Sequence, residues 1–173
     1  MRGNKKYFQE EQCQSPLVWV ILLIINIIFI AGTIKQIGFD EPFGDKPMSD
    51  IGLVVVAVLI LLTSFPLALL SKLQTFINSE GIYLRYFPFQ WRYKFFDWRN
   101  VDKLSIIRYK PFVEYGGWGF RKKRKGTVAY TVKGRMGLKI DLKNGKSVLI
   151  GTQNPVYLND ILTELGKNGA VKG

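Results

Sequence analysis

Two unbroken apolar stretches, residues 16–34 and 51–70, constrain this chain more than any other feature. They hold 19 and 20 residues without one charged side chain. At about 1.5 Å of rise per helical residue each spans roughly 28–30 Å, close to the hydrocarbon thickness of a bilayer. β-branched residues crowd both, as in Ile24, Ile25, Ile27 and Ile28, or Val54, Val55 and Val56. In water that would favour strands; in lipid a lone strand leaves its backbone N–H and C=O groups unpaired. Both stretches are therefore expected to be membrane-crossing helices joined as an antiparallel hairpin. The first is too long for the ~7–15-residue apolar core of a secretory signal, and Ala31, Gly32 and Thr33 make only a weak cleavage site. Cys13 precedes the apolar stretch and reads as a plain free thiol.

Charge sets the expected orientation. The connector, residues 35–50, carries Lys35 and Lys46 against Asp40, Glu41, Asp45 and Asp50, a net charge of −2. Arg2, Lys5 and Lys6 precede the first stretch, and from Lys72 onward 20 Lys and Arg face 7 Asp and Glu, a net charge of +13. Lys and Arg are retained on the cytoplasmic side, so both termini are expected inside an inner (cytoplasmic) membrane, with the acidic connector outside. Trp19 suits the inner headgroup region. The expected organisation is a cytoplasmic segment (1–15), a first span (16–34), an external loop (35–50), a second span (51–71), a cytoplasmic domain (72–167) and a tail (168–173). Asn26 is strongly polar in mid-helix and is a candidate helix–helix contact, bonding to its own helix, to the neighbouring helix or across a homo-oligomer. Pro66 predicts a kink.

After Leu73 the pattern changes from continuous to alternating, the signature of strands. Ile82, Leu84 and Tyr86 face one side and Tyr83, Arg85 and Phe87 the other; Tyr93 and Phe95 alternate with Arg92 and Lys94. Leu138, Ile140 and Leu142 alternate with Lys139, Asp141 and Lys143 in the clearest case. About seven strands are expected, over 73–78, 82–87, 91–96, 101–109, 127–133, 137–142 and 147–150. Asn144-Gly145 predicts a type I′ hairpin turn. Asn154 and Pro155 then read as the N-cap and first residue of a helix with Val156, Leu158, Ile161, Leu162 and Leu165 on one face, stopped by Gly166.

A mainly-β soluble domain of seven strands, a barrel or sandwich capped by one C-terminal helix, is the layout of the pleckstrin-homology (PH) superfold. Trp98-Arg99-Asn100-Val101, Gly116-Gly117-Trp118-Gly119-Phe120-Arg121 and the segment from Asn144 to Thr152 resemble bacterial PH-like domain proteins. Members of that group often carry a membrane hairpin before the domain. The resemblance implies a PH-like fold and says almost nothing about activity. Lipid-binding PH domains concentrate cations around the loop joining their first two strands, whereas residues 78–81 here carry Glu80 and no cation. Diffuse contact with anionic lipid is expected in place of specific inositol-phosphate recognition.

Catalysis is not expected. The chain has no histidine and one cysteine, which removes the commonest general base, an internal disulfide and a zinc site. Ser105 and Ser147 have no nearby base in sequence, and Glu80, Asp97, Asp102, Glu114 and Asp141 are scattered. Gly117-Trp118-Gly119 lacks the further glycine and lysine of a phosphate loop and reads as a bend that packs Trp118. No cofactor or metal is expected.

The run Arg121, Lys122, Lys123, Arg124 and Lys125 is the sharpest functional candidate, read as a loop between two strands. Near an anionic leaflet each cation gains up to ~1 kcal/mol, and the competing reading is a solvated loop that aids topology. Aromatics interleave with Arg85, Arg92, Lys94 and Arg99, as in single-stranded nucleic-acid binders, but Phe87, Phe89 and Trp91 are better explained as core or lipid-interface residues. Nucleic acid is not the expected partner. The sequence thus predicts a membrane-anchored, non-enzymatic binding or scaffold module whose partners are a protein at the membrane and anionic phospholipid. The alternative is a subunit of a membrane enzyme or transport complex whose site forms only with its partners.

Overall fold

The computed structural model of the protein describes residues 8–123, 126–167 and 170–172. Gln14–Leu70 forms one compact unit, and the strand before it joins everything from Ser71 onward in the other.

In the first unit, α1 (Pro16–Thr33) starts where the Ser15 side chain accepts the Leu17 N–H at 3.3 Å and proline fills the first helical position. It continues as a π-helical turn, Ile34–Gly38. The second helix, α2 (Asp50–Leu70), runs through Pro66. Both are long and apolar enough to cross a membrane, at 23 residues (counting the π turn) and 21 residues. Their buried positions are mostly small or polar (Asn26, Gly32, Ser64 and Ala68), while Ile, Leu and Val side chains stand open around the rest of both helices. The first helix outlasts the apolar stretch because Gln36 ties down the connector. Its amide donates to the Met48 carbonyl (2.8 Å) and to Asp50 Oδ1 (2.7 Å), and its oxygen accepts the Phe43 N–H (3.3 Å). The Phe43 ring covers Gly32 so closely that a Cβ there would lie 2.8 Å from it.

The second unit contains two sheets. The first is antiparallel throughout, in the order β1 (Phe8–Cys13), β2 (Lys72–Ile77), β3 (Gly81–Phe87) and β4 (Lys94–Asp97). The remaining strands are β5 (Val101–Arg108), β6 (Gly119–Lys122), β7 (Thr127–Thr131), β8 (Met136–Leu142), β9 (Ser147–Thr152) and β10 (Ala170–Lys172). They form a second sheet in the order β10-β5-β8-β9-β7-β6, in which β10 lies parallel to β5 and β7 parallel to β9. Two helices complete the unit, α3 (Pro111–Tyr115) and α4 (Pro155–Glu164). Leu73, Ile77, Ile82, Leu84 and Phe96 from the first sheet meet Leu104, Ile106, Tyr130, Leu138, Ile140 and Ile150 from the second, with Leu158, Ile161 and Leu162 of α4. Alternation along β2 and β3 buries one face of each, as the sequence pattern predicts. The two sheets are not hydrogen-bonded into a closed barrel.

The first strand, β1, is absent from the sequence-based expectation. It has one large apolar residue on its inward face, Phe8, followed there by Glu10 and Gln12. Their partners come from β9 and the residue after it, although Gln12 Oε1 accepts no hydrogen bond. Glu10 accepts the Thr152 hydroxyl and the Gln153 N–H, both at 2.7 Å, and Gln12 donates to the Gly151 carbonyl at 2.7 Å. The apolar hairpin is therefore spliced between two paired strands of one sheet, and Cys13 and Lys72, on either side of the splice, are cross-strand partners.

Other local expectations are corrected as well. The strand expected over 91–96 begins at Lys94, and Phe96, not Tyr93 or Phe95, is the aromatic that enters the core. At Asn144-Gly145 only the glycine has positive φ (+76°), so the turn is not type I′. The Gly145 N–H bonds back to Leu142 O, and the Asn144 side chain accepts the Lys146 N–H (3.1 Å). Asn154 makes no side-chain cap to α4, and Val156 is exposed, since the first turn of that helix projects past the core.

Candidate functional site: two aromatic and cationic surfaces

The first two residues of the basic run lie in a strand, not in a loop. Arg121 and Lys122 belong to β6, the outermost strand of the second sheet, and Lys123 closes the turn into β7 through its N–H to Thr127 O (2.8 Å). Strand alternation divides the cations. Phe120 faces Tyr130, ring centres 5.1 Å apart. Arg121 and Lys123 turn the other way: the Arg121 guanidinium lies beside Gly117, and the Lys123 ammonium stands 4.4 Å from the centre of the Tyr115 ring. Arg121, Lys122 and Lys123 are all exposed, while Arg124 and Lys125 lie outside the described residues. A charged edge strand resists pairing with a second chain.

Beneath Arg121 and Lys123 is a small second core. Gly137 and Gly151 are cross-strand partners, and a Cβ on either would meet the Tyr109 side chain, at 3.4 and 3.5 Å. The ring of Tyr109 fills that glycine cradle and packs edge-on against Tyr115. Its hydroxyl makes no hydrogen bond of good geometry: the neighbouring Thr131 hydroxyl, whose influence lowers the phenol's pKa against the effect of burial, donates to the Gly119 carbonyl (3.5 Å). Burial pushes the Tyr109 phenol up to about 12, and burial raises Tyr115 as well. Three glycines with positive φ (Gly116, Gly117 and Gly119) bend the chain so that the Trp118 indole donates to Gly134 O (3.0 Å) and stacks edge-on with Phe112. Val113, in the middle of α3, is 84% exposed.

A second surface lies at residues 88–93, between β3 and β4. Phe89 and Trp91 are 57% and 76% exposed, yet the loop is held firmly. The Gln90 N–H bonds to Tyr86 O (2.7 Å), and its side-chain amide bonds to the Tyr130 hydroxyl (3.1 Å). The rings of Tyr86 and Phe89 stack at 5.3 Å, and those of Phe87 and Trp91 meet edge-on at 5.1 Å.

Four of the five acidic residues singled out from sequence are engaged locally. Asp97 accepts the Arg99 guanidinium (2.6 Å), which holds its carboxyl below the usual range. Glu80 accepts the Tyr83 hydroxyl, Glu114 the Lys110 N–H, and Asp141 the Ser147 hydroxyl. Among the described residues no group of three or more His, Cys, Asp or Glu is placed to hold a metal ion. A hollow of about 510 Å³ beside β4 is lined by Phe95, Phe96, Asn100, Leu142, Lys143 and Asn144, which include no carboxylate, hydroxyl or thiol. In the hairpin unit, Asn26 donates to Leu22 O one turn earlier (2.8 Å) and to Ser64 Oγ on α2 (3.1 Å). Comparison with family models, curated proteins and solved structures yields no match for the chain.

Proposed function

We propose that the chain is a membrane-anchored, non-enzymatic binding or scaffold module that presents a basic PH-like domain to a protein partner and to anionic lipid at the cytoplasmic membrane face. The observation that carries this reading is the splice. Residues 14–71 leave and re-enter one sheet at cross-strand partners, so the β unit is joined to the hairpin by two adjacent strand ends. The open apolar surface of α1 and α2 needs a lipid environment or another apolar cover, and lipid fits their length. The acidic connector and the +13 charge from Lys72 onward support an orientation with both termini inside.

The PH-like assignment is supported by a four-stranded antiparallel sheet, the antiparallel meander β5-β8-β9 and a helix packed on both sheets. On that count the seven strands are β1–β5, β8 and β9, and the β6–β7 hairpin is an addition that carries the basic run. Carboxylates engaged one by one in local bonds support binding over catalysis.

The test has two arms. Replacing residues 14–71 by a short Asn-Gly turn between Cys13 and Lys72 is expected to give a folded, water-soluble β unit that sediments with phosphatidylglycerol vesicles. Replacing Arg121, Lys122, Lys123, Arg124 and Lys125 by Gln lowers that binding about tenfold or more; unchanged sedimentation removes the lipid role. In the full chain with Cys13→Ser, Asp45→Cys is expected to react with an impermeant maleimide from outside the cell. Reaction only after lysis reverses the orientation.

A further inference from the structure

We infer that residues 88–93 form a built lipid-interface contact, with the Phe89 and Trp91 rings seated at headgroup level in an anionic bilayer; this rests on the reading of the two apolar helices as membrane-crossing. The first argument is register. Cys13, Lys72 and Phe87 are successive partners across β1, β2 and β3. The chain departs for the hairpin two residues beyond Cys13, returns one residue before Lys72, and enters the aromatic loop directly after Phe87. All three events occur at one end of one sheet.

The second argument is chemical asymmetry between the two ends of that sheet. The hairpin end carries exposed Phe89, Trp91 and Arg92, while Lys72, in the same row, is ion-paired with Glu11 (2.7 Å). At the opposite end the β2–β3 turn, residues 78–81, presents Ser79 and Glu80 and closes on itself: the Asn78 side chain accepts the Glu80 and Gly81 N–H groups at 2.9 and 3.0 Å. An anionic leaflet would attract the first end and repel the second. Trp and cations together are also what the headgroup layer selects, since an indole buries its ring and keeps its N–H wet.

The third argument is preorganisation. An exposed loop with two large rings loses conformational entropy when it docks, unless its fold already fixes the rings. Here Gln90 is pinned to Tyr86 and Tyr130, and each ring leans on an aromatic of β3. The loop is ordered from within and leaves its apolar faces outward.

The test uses the full chain in a Cys13→Ser background, reconstituted in phosphatidylethanolamine–phosphatidylglycerol liposomes. A nitroxide is placed at Trp91→Cys, at Phe89→Cys or, as the far-end reference, at Ser79→Cys; all three positions are exposed, so the fold tolerates the label. Positions 89 and 91 are expected to lose collisions with a water-soluble nickel chelate and to favour oxygen, and position 79 to show the reverse order. Nickel access at 89 and 91 equal to that at 79, in protein that floats with the liposomes, overturns this inference alone. Shielding of 89 and 91 from both reagents overturns it too, because it means burial against protein. Protein that does not float overturns the membrane reading and this inference with it.

Discussion

Glu10 and Asn26 are both polar side chains buried among apolar ones, one between sheets and the other between helices, and they are satisfied in opposite ways. Glu10 is held by residues more than 140 positions away, the Thr152 hydroxyl and the Gln153 N–H, each at 2.7 Å. Thr152 in turn accepts the Asn154 N–H, so a single carboxylate organises the approach to α4. Asn26 finds its shorter bond in its own helix, at Leu22 O, and a longer one to Ser64 on α2. A group satisfied at long range staples the fold; a group satisfied at short range is only tolerated by it. The difference matters for function because the Glu10 staple fixes β1, and β1 is what turns a domain on one tether into a domain on two.

The largest effect is expected at the staple. Glu10→Ala leaves a buried hydroxyl and a backbone N–H without their acceptor and should destabilise the β unit by about 3 kcal/mol. Glu10→Gln keeps the shape and part of the bonding and should cost about half as much. Urea unfolding of the β unit without the hairpin measures both; equal and negligible losses would show that β1 is held by Phe8 and its ladder to β2 alone. At Asn26 the expectation is smaller. Asn26→Leu removes one interhelical bond and should weaken helix pairing by about 0.6 kcal/mol, near the average for such bonds. Steric-trapping unfolding in micelles, run as a double-mutant cycle with Ser64→Ala, isolates that bond. A coupling well above 1 kcal/mol would place Asn26 with the staples and erase the contrast.

The same distinction explains what was legible in the sequence. The apolar helices are read from continuous runs, and β2, β3 and β8 from alternation, because their stabilising groups are apolar and lie in the segments themselves. The α4 stop at Gly166 is equally local, a glycine at φ +66°. Phe8–Cys13 is invisible because its inward Glu10 and Gln12 look like surface residues until β9 is placed opposite. The basic run misleads for a related reason. Arg121 and Lys122 have charged-loop composition, yet they form a strand because β7 provides a ladder and the neighbouring edge is left to solvent. Phe89 and Trp91 are readable as an interface pair from composition, whereas their fixed presentation depends on Gln90 reaching Tyr130, forty residues on.

Tyr109 is the limiting case of the comparison, a buried polar group whose hydroxyl has the Thr131 hydroxyl beside it and no hydrogen bond of good geometry. Its hydroxyl makes no bond of good geometry, so Tyr109→Phe should change stability at pH 7 by less than about 1 kcal/mol in either direction. The ring is what the Gly137–Gly151 cradle holds, and it is retained. The two proteins should separate in alkali. Burial raises the phenol from its ordinary value near 10 to about 12, so the folded state holds this proton more tightly than the unfolded chain. That contribution is complete below pH 10 and is lost as pH rises towards 12, at about 1.4 kcal/mol per pH unit for one proton. The Phe variant lacks it, and its stability should therefore fall less steeply over that window. Parallel urea titrations at pH 7 and pH 11 read the difference. A loss well above 1 kcal/mol at pH 7 would reveal a partner for the hydroxyl and move Tyr109 from the tolerated groups to the staples.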